Sequence, residues 1–292
     1  MVSITDRTYI RPPTFVLNQR RYLQFLRKVG TLWCYGWVEI RIVSLSPAEF
    51  RLRVREALDV YVAAMGYSPR LSWQRSPVWH EHSRWADFSA VAAFVSQEDA
   101  AELAVSVHAD ATATRGRGRR WWFRRSHPAA ASAPQDLDVR VVPAPADVQG
   151  LADQTPPTSD EVLVGICYGY RARRGQWWFD RVSAGARSAG TPLPEKMAEL
   201  TELHVLPALH GHRVGWALLQ SFLTTRAESS VLLSTPEVEG ETNNAWRLYR
   251  RAGFSDVLRD FLFEGDPRRF AILRTDLARA AASSAAAGIG AE

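Results

Sequence analysis

The sequence predicts an α/β protein. Strand-like and helix-like segments alternate along its second half, with strands at 161–172, 198–207 and 230–235 and helices at 212–227 and 243–253. Such alternation is typical of a sheet with helices packed on its faces. Of the 292 residues, 46% are hydrophobic and 23% are charged, as in a globular protein that can bury a substantial core.

The first half of the chain predicts a strand, two helices and another strand. Residues 38–45 alternate apolar and polar side chains, as a half-buried strand does. A helical pattern opens at Ser46-Pro47, and its apolar residues recur at spacings of three and four. We expect a second helix within 79–95 and a strand at 100–110.

The strand at 198–207 changes its apolar phase partway. The apolar side chains move from the even position of Leu200 to the odd positions of Leu203 and Val205. A period of two cannot do this without an extra residue, so we expect a β-bulge near Thr201–Glu202. Two final strands are then expected, and their sequences are FSDVLRDFLF and RRFAILRTDL.

The domain organisation follows from changes in composition. We predict a single domain over 38–277, preceded by an N-terminal extension at 1–37 and followed by a disordered, alanine-rich tail at 278–292. Residues 111–160 are rich in arginine and then in proline, alanine and aspartate. Such a stretch cannot bury enough apolar surface to fold alone, so we interpret it as a long, partly disordered surface insertion.

Composition also restricts the class of protein. The two cysteines, Cys34 and Cys167, are far apart, which argues against a disulfide framework and favours the reducing cytoplasm. The sequence has no run of about 18 or more apolar residues, so we predict no membrane span. His204, His210 and His212 lack a carboxylate or cysteine at a recognisable ligand spacing, so we predict no metal site.

The loop after the strand at 198–207 predicts an anion site. It reads ALHGHRVG, and the next helix begins around Arg213. Unpaired N–H groups and the helix dipole both favour phosphate at a helix N-terminus. Gly211 and Gly215 place no side chain in the way. The alternative is a strand–helix turn in which the glycines only permit packing.

A second motif, NNAWRLYRRAGF at 243–254, predicts a short helix with an asparagine start and a glycine stop. Together with the loop, it resembles the acyl-CoA-binding half of the GCN5-related N-acetyltransferase (GNAT) family. The resemblance covers about residues 160–275 well and extends weakly to 38–110. The residues that match the family's helix are Asn244, Ala245, Leu248, Tyr249, Gly253 and Phe254.

The resemblance implies a mixed, mostly antiparallel central sheet flanked by helices, in which splayed strands form the acyl-CoA cleft. His210 replaces the family's usual Gln or Arg in the loop, and Arg213 takes the first Gly position. Arg213 could crowd the pyrophosphate of the cofactor or pair with it. The cofactor-binding residues that the pattern covers are His210, Gly211, His212, Arg213, Val214 and Gly215.

The resemblance also implies the reaction, which is transfer of acetyl from acetyl-CoA to a primary amine by direct attack in a ternary complex. Asn244 would help to hold the cofactor. Tyr249 would protonate the departing thiolate, and the main-chain N–H near Val205 would serve the oxyanion. The acceptor is expected to be a small-molecule or peptide amine, and a homodimer is left open.

Glu202 is the predicted base, because the bulge can point it into the cleft. Glu199, His204 and a water relay are the alternatives that the sequence leaves open. The family builds its acceptor side from the variable first half of the chain, so the residues say little about the identity of the amine.

Two other functions compete with the enzyme. A catalytically silent CoA-binding module is motivated by the two departures in the loop. Nucleic acid could bind the arginines and aromatic residues at 115–125 through phosphate contacts and stacking, although we favour a solvated loop there. We also expect solvated surfaces at His80-Glu81-His82 and at the acidic run 237–241.

Overall fold

The computed structural model describes residues 37–68, 71–101, 103, 138–144 and 154–278. These residues form one eight-stranded sheet with helices on both faces. The elements, in chain order, are β1 (Val38–Leu45), α1 (Pro47–Met65), α2 (Leu71–His82), β2 (Ser89–Ser96), β3 (Val139–Val142), β4 (Glu161–Arg171), α3 (Trp177–Ser188), β5 (Met197–Val205), α4 (Val214–Thr224), β6 (Ser230–Pro236), α5 (Asn244–Arg251), β7 (Ser255–Leu262) and β8 (Arg269–Asp276).

The sheet is mixed and mostly antiparallel, as expected. Its strand order is β3-β1-β2-β4-β5-β6-β8-β7, and β1–β3 and β5–β6 are the parallel neighbours. The β5–β6 pairing runs over 197–199 and 230–232, whereas β5 stays paired with β4 as far as Val205. Beyond Glu199, therefore, β5 and β6 separate, and the gap between them is the predicted splayed cleft.

Each face of the sheet has its own core. One face packs against α4 and α5 and buries aliphatic residues of β1, β2, β5 and β6 together with Trp246. The other face packs against α1 and α2 around a group of aromatic residues that includes Phe50, Trp79 and Tyr168. α3 covers the β6–β8 end of this second face.

The start of α1 is fixed by local chemistry, and the predicted helix boundary is confirmed. The Ser46 hydroxyl accepts from the Glu49 N–H at 3.3 Å, and the Ser46 N–H donates to the Glu49 carboxylate at 2.8 Å. This reciprocal capping box pairs two backbone donors that would otherwise lack partners. Gly66 ends the helix in the left-handed conformation, with φ of 64°.

Two predictions in the first half are wrong. The second helix lies at Leu71–His82 rather than within 79–95, and it tolerates Pro77 in its interior. Residues Ser89–Ser96 form β2, whose six central residues are all buried. A strand buried on both faces has no period of two to reveal it. Residues 97–101 and 103 are helical, which corrects the start of the strand expected at 100–110.

Two elements were not anticipated. β3 lies inside the predicted insertion 111–160 and extends the sheet by pairing in parallel with β1. α3 buries Trp178, Val182 and Ala186, which recur every four residues and could have revealed a helix. The predictions for residues 1–36, for the arginine cluster at 115–125 and for the tail from 279 lie outside the described residues.

The predicted bulge in β5 is present. Tyr168 pairs with Glu202 and Gly169 with Leu200, so Thr201 is the extra residue. Gly169 permits this close approach, because a methyl group there would lie 2.0 Å from the Glu199 carbonyl oxygen. Glycine is thus the residue that lets β4 follow β5 past the bulge.

We expect Gly169→Ala to lower the free energy of unfolding by about 3 kcal/mol, since the added methyl group meets backbone that cannot move aside. Urea denaturation measures the change. Gly215→Ala is the matched control, because its methyl group would lie 3.6 Å from Leu248, an ordinary contact. Equal urea midpoints for Gly169→Ala and the unchanged protein would contradict the expectation.

Candidate active site

β5 divides the splayed cleft into two sides. Leu200 and Val205 point into the core beneath α4. Glu202 and His204 point to the opposite face, where they contact side chains of α1 and α2. Successive strand residues face opposite sides of a sheet, and the bulge restores this alternation in a new phase. The predicted base, Glu202, and the predicted anion loop therefore lie on opposite sides of the single strand β5.

Glu202 lies at the cleft, with its side chain 12% exposed. The imidazole of His204 donates to its Oε2 across 2.6 Å, and Arg75 Nη1 lies 3.2 Å from its Oε1. The ring of Tyr61 packs edge-on to His204 at 4.9 Å and also lies 5.0 Å beneath the Arg75 guanidinium. Hence a carboxylate and an aromatic face adjoin one another, and both attract cations.

Glu199 lies deeper, at the point where β5 and β6 separate. It is 4% exposed, and its Oε2 has no hydrogen-bond partner in the described part of the chain. Burial raises the pKa of Glu199 to about 8, and the charge of Glu202 adds to the rise. A hydrogen bond with the Tyr170 side chain opposes this rise in pKa without cancelling it. The cleft floor thus holds a carboxyl that is neutral at pH 7.

The Glu199 carboxyl should make the protein less stable as pH rises. Its pKa is about 8 when folded against 4.5 for an ordinary glutamate. Between these values the folded state keeps a proton that the unfolded chain releases, so the free energy of unfolding falls by about 1.4 kcal/mol per pH unit. Urea denaturation of the unchanged protein and Glu199→Gln at pH 5.5 and 7.5 measures this. Identical pH slopes in the two proteins would contradict it.

Tyr249 lies on the other side of β5, on α5. It is 9% exposed and packs against Phe254, with ring centroids 5.7 Å apart. Burial raises the pKa of Tyr249, and the neighbouring Cys167 and Glu202 raise it further. Its hydroxyl therefore carries its proton at neutral pH.

The end of β5 directs a backbone donor into the cleft. The Leu206 N–H donates to the Val164 carbonyl at 3.0 Å, on the β4 side. Backbone groups of an antiparallel strand alternate in direction, so the N–H and carbonyl of Val205 point away from β4. The Val205 carbonyl accepts from His210 Nε2 at 3.0 Å. Its N–H is left facing the gap between β5 and β6.

The loop before α4 collects backbone donors. A short 3₁₀ turn, Pro207–Leu209, leads to Gly211, whose φ is 88°. A methyl group on Gly211 would meet nothing within 4 Å, so the approach to the loop is open. Within the described ranges, five successive or near-successive N–H groups have no backbone partner, and they belong to Gly211, Arg213, Val214, Gly215 and Trp216. Together with the helix dipole, they form a cradle for an anion.

The two departures from the family loop have separate structural consequences. His210 closes the loop onto the strand end through Val205, and its Nδ1 is buried with no partner among the residues described. Arg213 adopts φ of 62°, which explains why glycine suits this position and implies a strain of roughly 1–2 kcal/mol. The Arg213 side chain is exposed beside the cradle. Burial lowers the pKa of the neighbouring His212.

The two asparagines of the second motif differ in position. Asn243 caps α5, since its side chain accepts from the Trp246 N–H at 2.9 Å. Asn244 is exposed, and its side-chain oxygen accepts from Arg247. The sequence assigned Asn244 to the cofactor, and in the described structure its contact is with the helix surface.

The aromatic lining of the Glu202 side was not foreseen from the sequence. His82, expected on a solvated helix surface, instead packs against Tyr168 and Tyr170, and its Nδ1 lies 3.2 Å from the Tyr168 hydroxyl. Burial lowers the pKa of His82 to about 4. Tyr168 and Tyr170 share one face of β4, and this alternation is a signal that could have placed them at the cleft.

The acidic run is also less solvated than expected. Glu237 pairs with Arg259 at 2.6 Å, and Glu241 pairs with Arg250 at 2.6 Å. Both guanidinium groups lie 5.0 Å from the Trp246 ring. These carboxylates therefore tie α5 to β7, which leaves exposed Glu239 as the member of the run that fits the prediction.

Neither a metal cluster nor a membrane-spanning helix is found in the ranges that the structure describes. No group of three or more His, Cys, Asp or Glu residues there could hold a metal ion. No helix there is long and apolar enough to cross a bilayer.

Comparison with known proteins gives a relative at substantial identity. No family model matches the chain. The chain is 38% identical over 240 residues to the GCN5-like protein acetyltransferase Rv2170 of Mycobacterium tuberculosis, covering 80% of this chain and 96% of the relative.

Solved structures are similar at lower identity. An acetyltransferase of the GNAT family from Desulfovibrio desulfuricans is 14% identical with a TM-score of 0.43, over 82% of this chain and 99% of that one. Arabidopsis thaliana NAA60 in complex with acetyl-CoA is 13% identical with a TM-score of 0.41, over 81% and 98%.

Proposed function

Because the chain belongs to the GCN5-related N-acetyltransferase family, we propose that it transfers acetyl from acetyl-CoA to a primary amine on a peptide or protein. The observation that carries the proposal is the placement of the anion cradle, Tyr249 and Glu202 around the end of one splayed strand. The relative that is 38% identical is named a protein acetyltransferase, which supports a macromolecular acceptor over a small molecule.

The cradle is the proposed site of the cofactor's pyrophosphate. The N–H groups of Gly211 and of 213–216 would bind its oxygens, and the exposed Arg213 guanidinium would pair with it from the side. The pantetheine arm would then follow β5 through the gap toward Val205. In this arrangement Asn244, at the start of α5, borders the cofactor.

The chemistry follows from the groups on the two sides of β5. The amine nitrogen forms a bond to the acetyl carbon, and the carbon–sulfur bond breaks. The oxyanion accepts from the Val205 N–H. Glu202, assisted by His204, takes the proton that the amine loses, and Tyr249 supplies the proton that the thiolate gains.

The acceptor side is suited to a cationic amine. Glu202 and the face of Tyr61 both attract the ammonium form before it loses its proton. In the structure Glu202 and the Tyr61 ring both contact the guanidinium of Arg75, so the ammonium group of the acceptor would displace that guanidinium.

The test combines two measurements on the full chain. Calorimetry with acetyl-CoA reports binding, and free-thiol release with lysine peptides, spermidine and small primary amines reports turnover. Thiol release with lysine peptides supports the proposal. Binding without release on any amine would favour the silent CoA-binding module, and no binding of acetyl-CoA would overturn both functions.

The compartment and oligomeric state stay predictions. The reducing cytoplasm is the proposed compartment, because 292 residues contain two cysteines, and Cys167 is buried as a free thiol. A homodimer is open to measurement by light scattering. The nucleic-acid alternative rests on 115–125, which lie outside the described residues.

A further inference from the structure

In the described part of the chain, a positively charged surface without acidic partners adjoins the anion cradle. Arg213, Arg247 and Arg251 are exposed there. Within the described ranges none of the three pairs with a carboxylate. Arg250, next to Arg251 in sequence, is held by Glu241 and Asp256. The arginines of α5 therefore divide into Arg250, which is paired with carboxylates, and two that have no carboxylate partner among the residues described.

Arg251 has a defined position in this surface. Its guanidinium carbon lies 4.7 Å from the ring centroid of Trp216, the third residue of α4. The Trp216 N–H is one of the unpartnered donors of the cradle. A methyl group on Gly215 would lie 3.6 Å from Leu248, one turn before Arg251, so α5 packs directly beside the start of α4. The stacked guanidinium is thus fixed close to the proposed pyrophosphate.

The cofactor carries a further charge at the corresponding distance. In CoA a single ribose separates the pyrophosphate from the 3′-phosphate, a monoester with about −1.5 to −2 charge at pH 7. A planar guanidinium binds phosphate through two parallel N–H donors, and stacking on an aromatic ring reduces the conformational freedom that binding must restrict. The helix dipole would explain a positively charged residue such as Arg251 at the C-terminus of α5, but it would not explain the contact of Arg251 with Trp216.

We propose that Arg251, stacked on Trp216, binds the 3′-phosphate of the acyl donor and makes the enzyme select acetyl-CoA over acetyl-3′-dephospho-CoA. This subsite rests on the proposed function, since it takes the pyrophosphate position as given. Arg251 is a specificity-determining residue that lies away from the reacting atoms. Its loss should therefore change donor binding and leave the chemical step unaffected.

The test is calorimetry of the full chain with the two donors. The unchanged protein should bind acetyl-CoA about tenfold more tightly than acetyl-3′-dephospho-CoA, the lower range for a hydrogen-bonded charge pair at an exposed site. Arg251→Gln should weaken acetyl-CoA by about the same factor and leave the dephospho donor unchanged. Arg251→Lys should keep part of the preference, because the charge remains without the planar fork.

Arg187→Gln is the matched control. Arg187 is an exposed arginine in the last turn of α3, on the other face of the sheet, and it has no carboxylate partner in the described part of the chain. Its removal should leave both affinities unchanged. Equal affinities of the unchanged protein for the two donors, or an equal weakening of both by Arg251→Gln, would overturn the subsite alone. No binding of either donor would overturn the proposed function and the subsite together.

Discussion

Tyr249→Phe is expected to lower kcat about 100-fold while the affinity for acetyl-CoA stays nearly unchanged. The hydroxyl is buried and, because burial raises its pKa, it carries a proton at neutral pH that the proposed mechanism gives to the thiolate. In the proposed mechanism its proton is needed when the carbon–sulfur bond breaks, whereas binding of the thioester does not require it. Steady-state thiol release gives kcat, and calorimetry gives the affinity.

The comparison variant is Tyr67→Phe. Tyr67 lies at the edge of the other side of the cleft, where its hydroxyl is 3.4 Å from Arg268. Removing that hydroxyl should change kcat by no more than about twofold, since its contact is a long hydrogen bond with Arg268 and lies across β5 from Tyr249. The role of Tyr249 as the acid is refuted by a kcat for Tyr249→Phe that matches the unchanged enzyme.

The strands that the sequence predicted correctly have a polar face, as in β1, a change of phase, as in β5, or an apolar run rich in β-branched or leucine residues, as in β4 and β6. Residues 38–42 alternate because Glu39 and Arg41 of β1 lie on its more exposed face, and the phase change in β5 reports the bulge at Thr201. β2 was missed because its six central residues are buried, which removes the period of two, and because three of them are alanines, which have little preference for strands. β3 was missed because four residues are too few to establish a period.

The reliance on local sequence patterns also explains which parts of the site were predictable. The anion loop and α5 are contiguous motifs, so their residue types and spacing are visible in the chain. Arg75 contacts Glu202 across 127 residues of sequence, and Tyr61 and His82 reach the cleft from different helices. Local periodicity carries no information on such contacts, because they depend on how α1 and α2 pack on the sheet.

The two carboxyl groups at the cleft, Glu199 and Glu202, lie in different environments and should therefore have different roles. Glu202 is held by Arg75 and His204 at the cleft wall, whereas Glu199 is buried and has an unpartnered oxygen. A base must be ionised when the amine arrives. With a pKa of about 8, Glu199 is neutral at pH 7 and so cannot accept a proton there. The geometry therefore favours Glu202 as the base and Glu199 as a structural carboxyl.

Glu202→Gln should consequently lower kcat/KM for the amine about 100-fold, because the amide cannot accept the proton. Its oxygen can still accept the hydrogen bond from His204, so the local structure should be retained. Glu199→Gln is the matched variant, three positions earlier on the same strand, and it should keep most of the activity.

The pH dependence separates the two carboxylates. If Glu199 were the base, kcat/KM of the unchanged enzyme would increase as Glu199 loses its proton near pH 8. The Glu199→Gln variant would lack this increase. We expect parallel pH profiles for Glu199→Gln and the unchanged enzyme, with the loss confined to Glu202→Gln. The opposite pattern would move the base to the cleft floor, where Glu199 is 4% exposed.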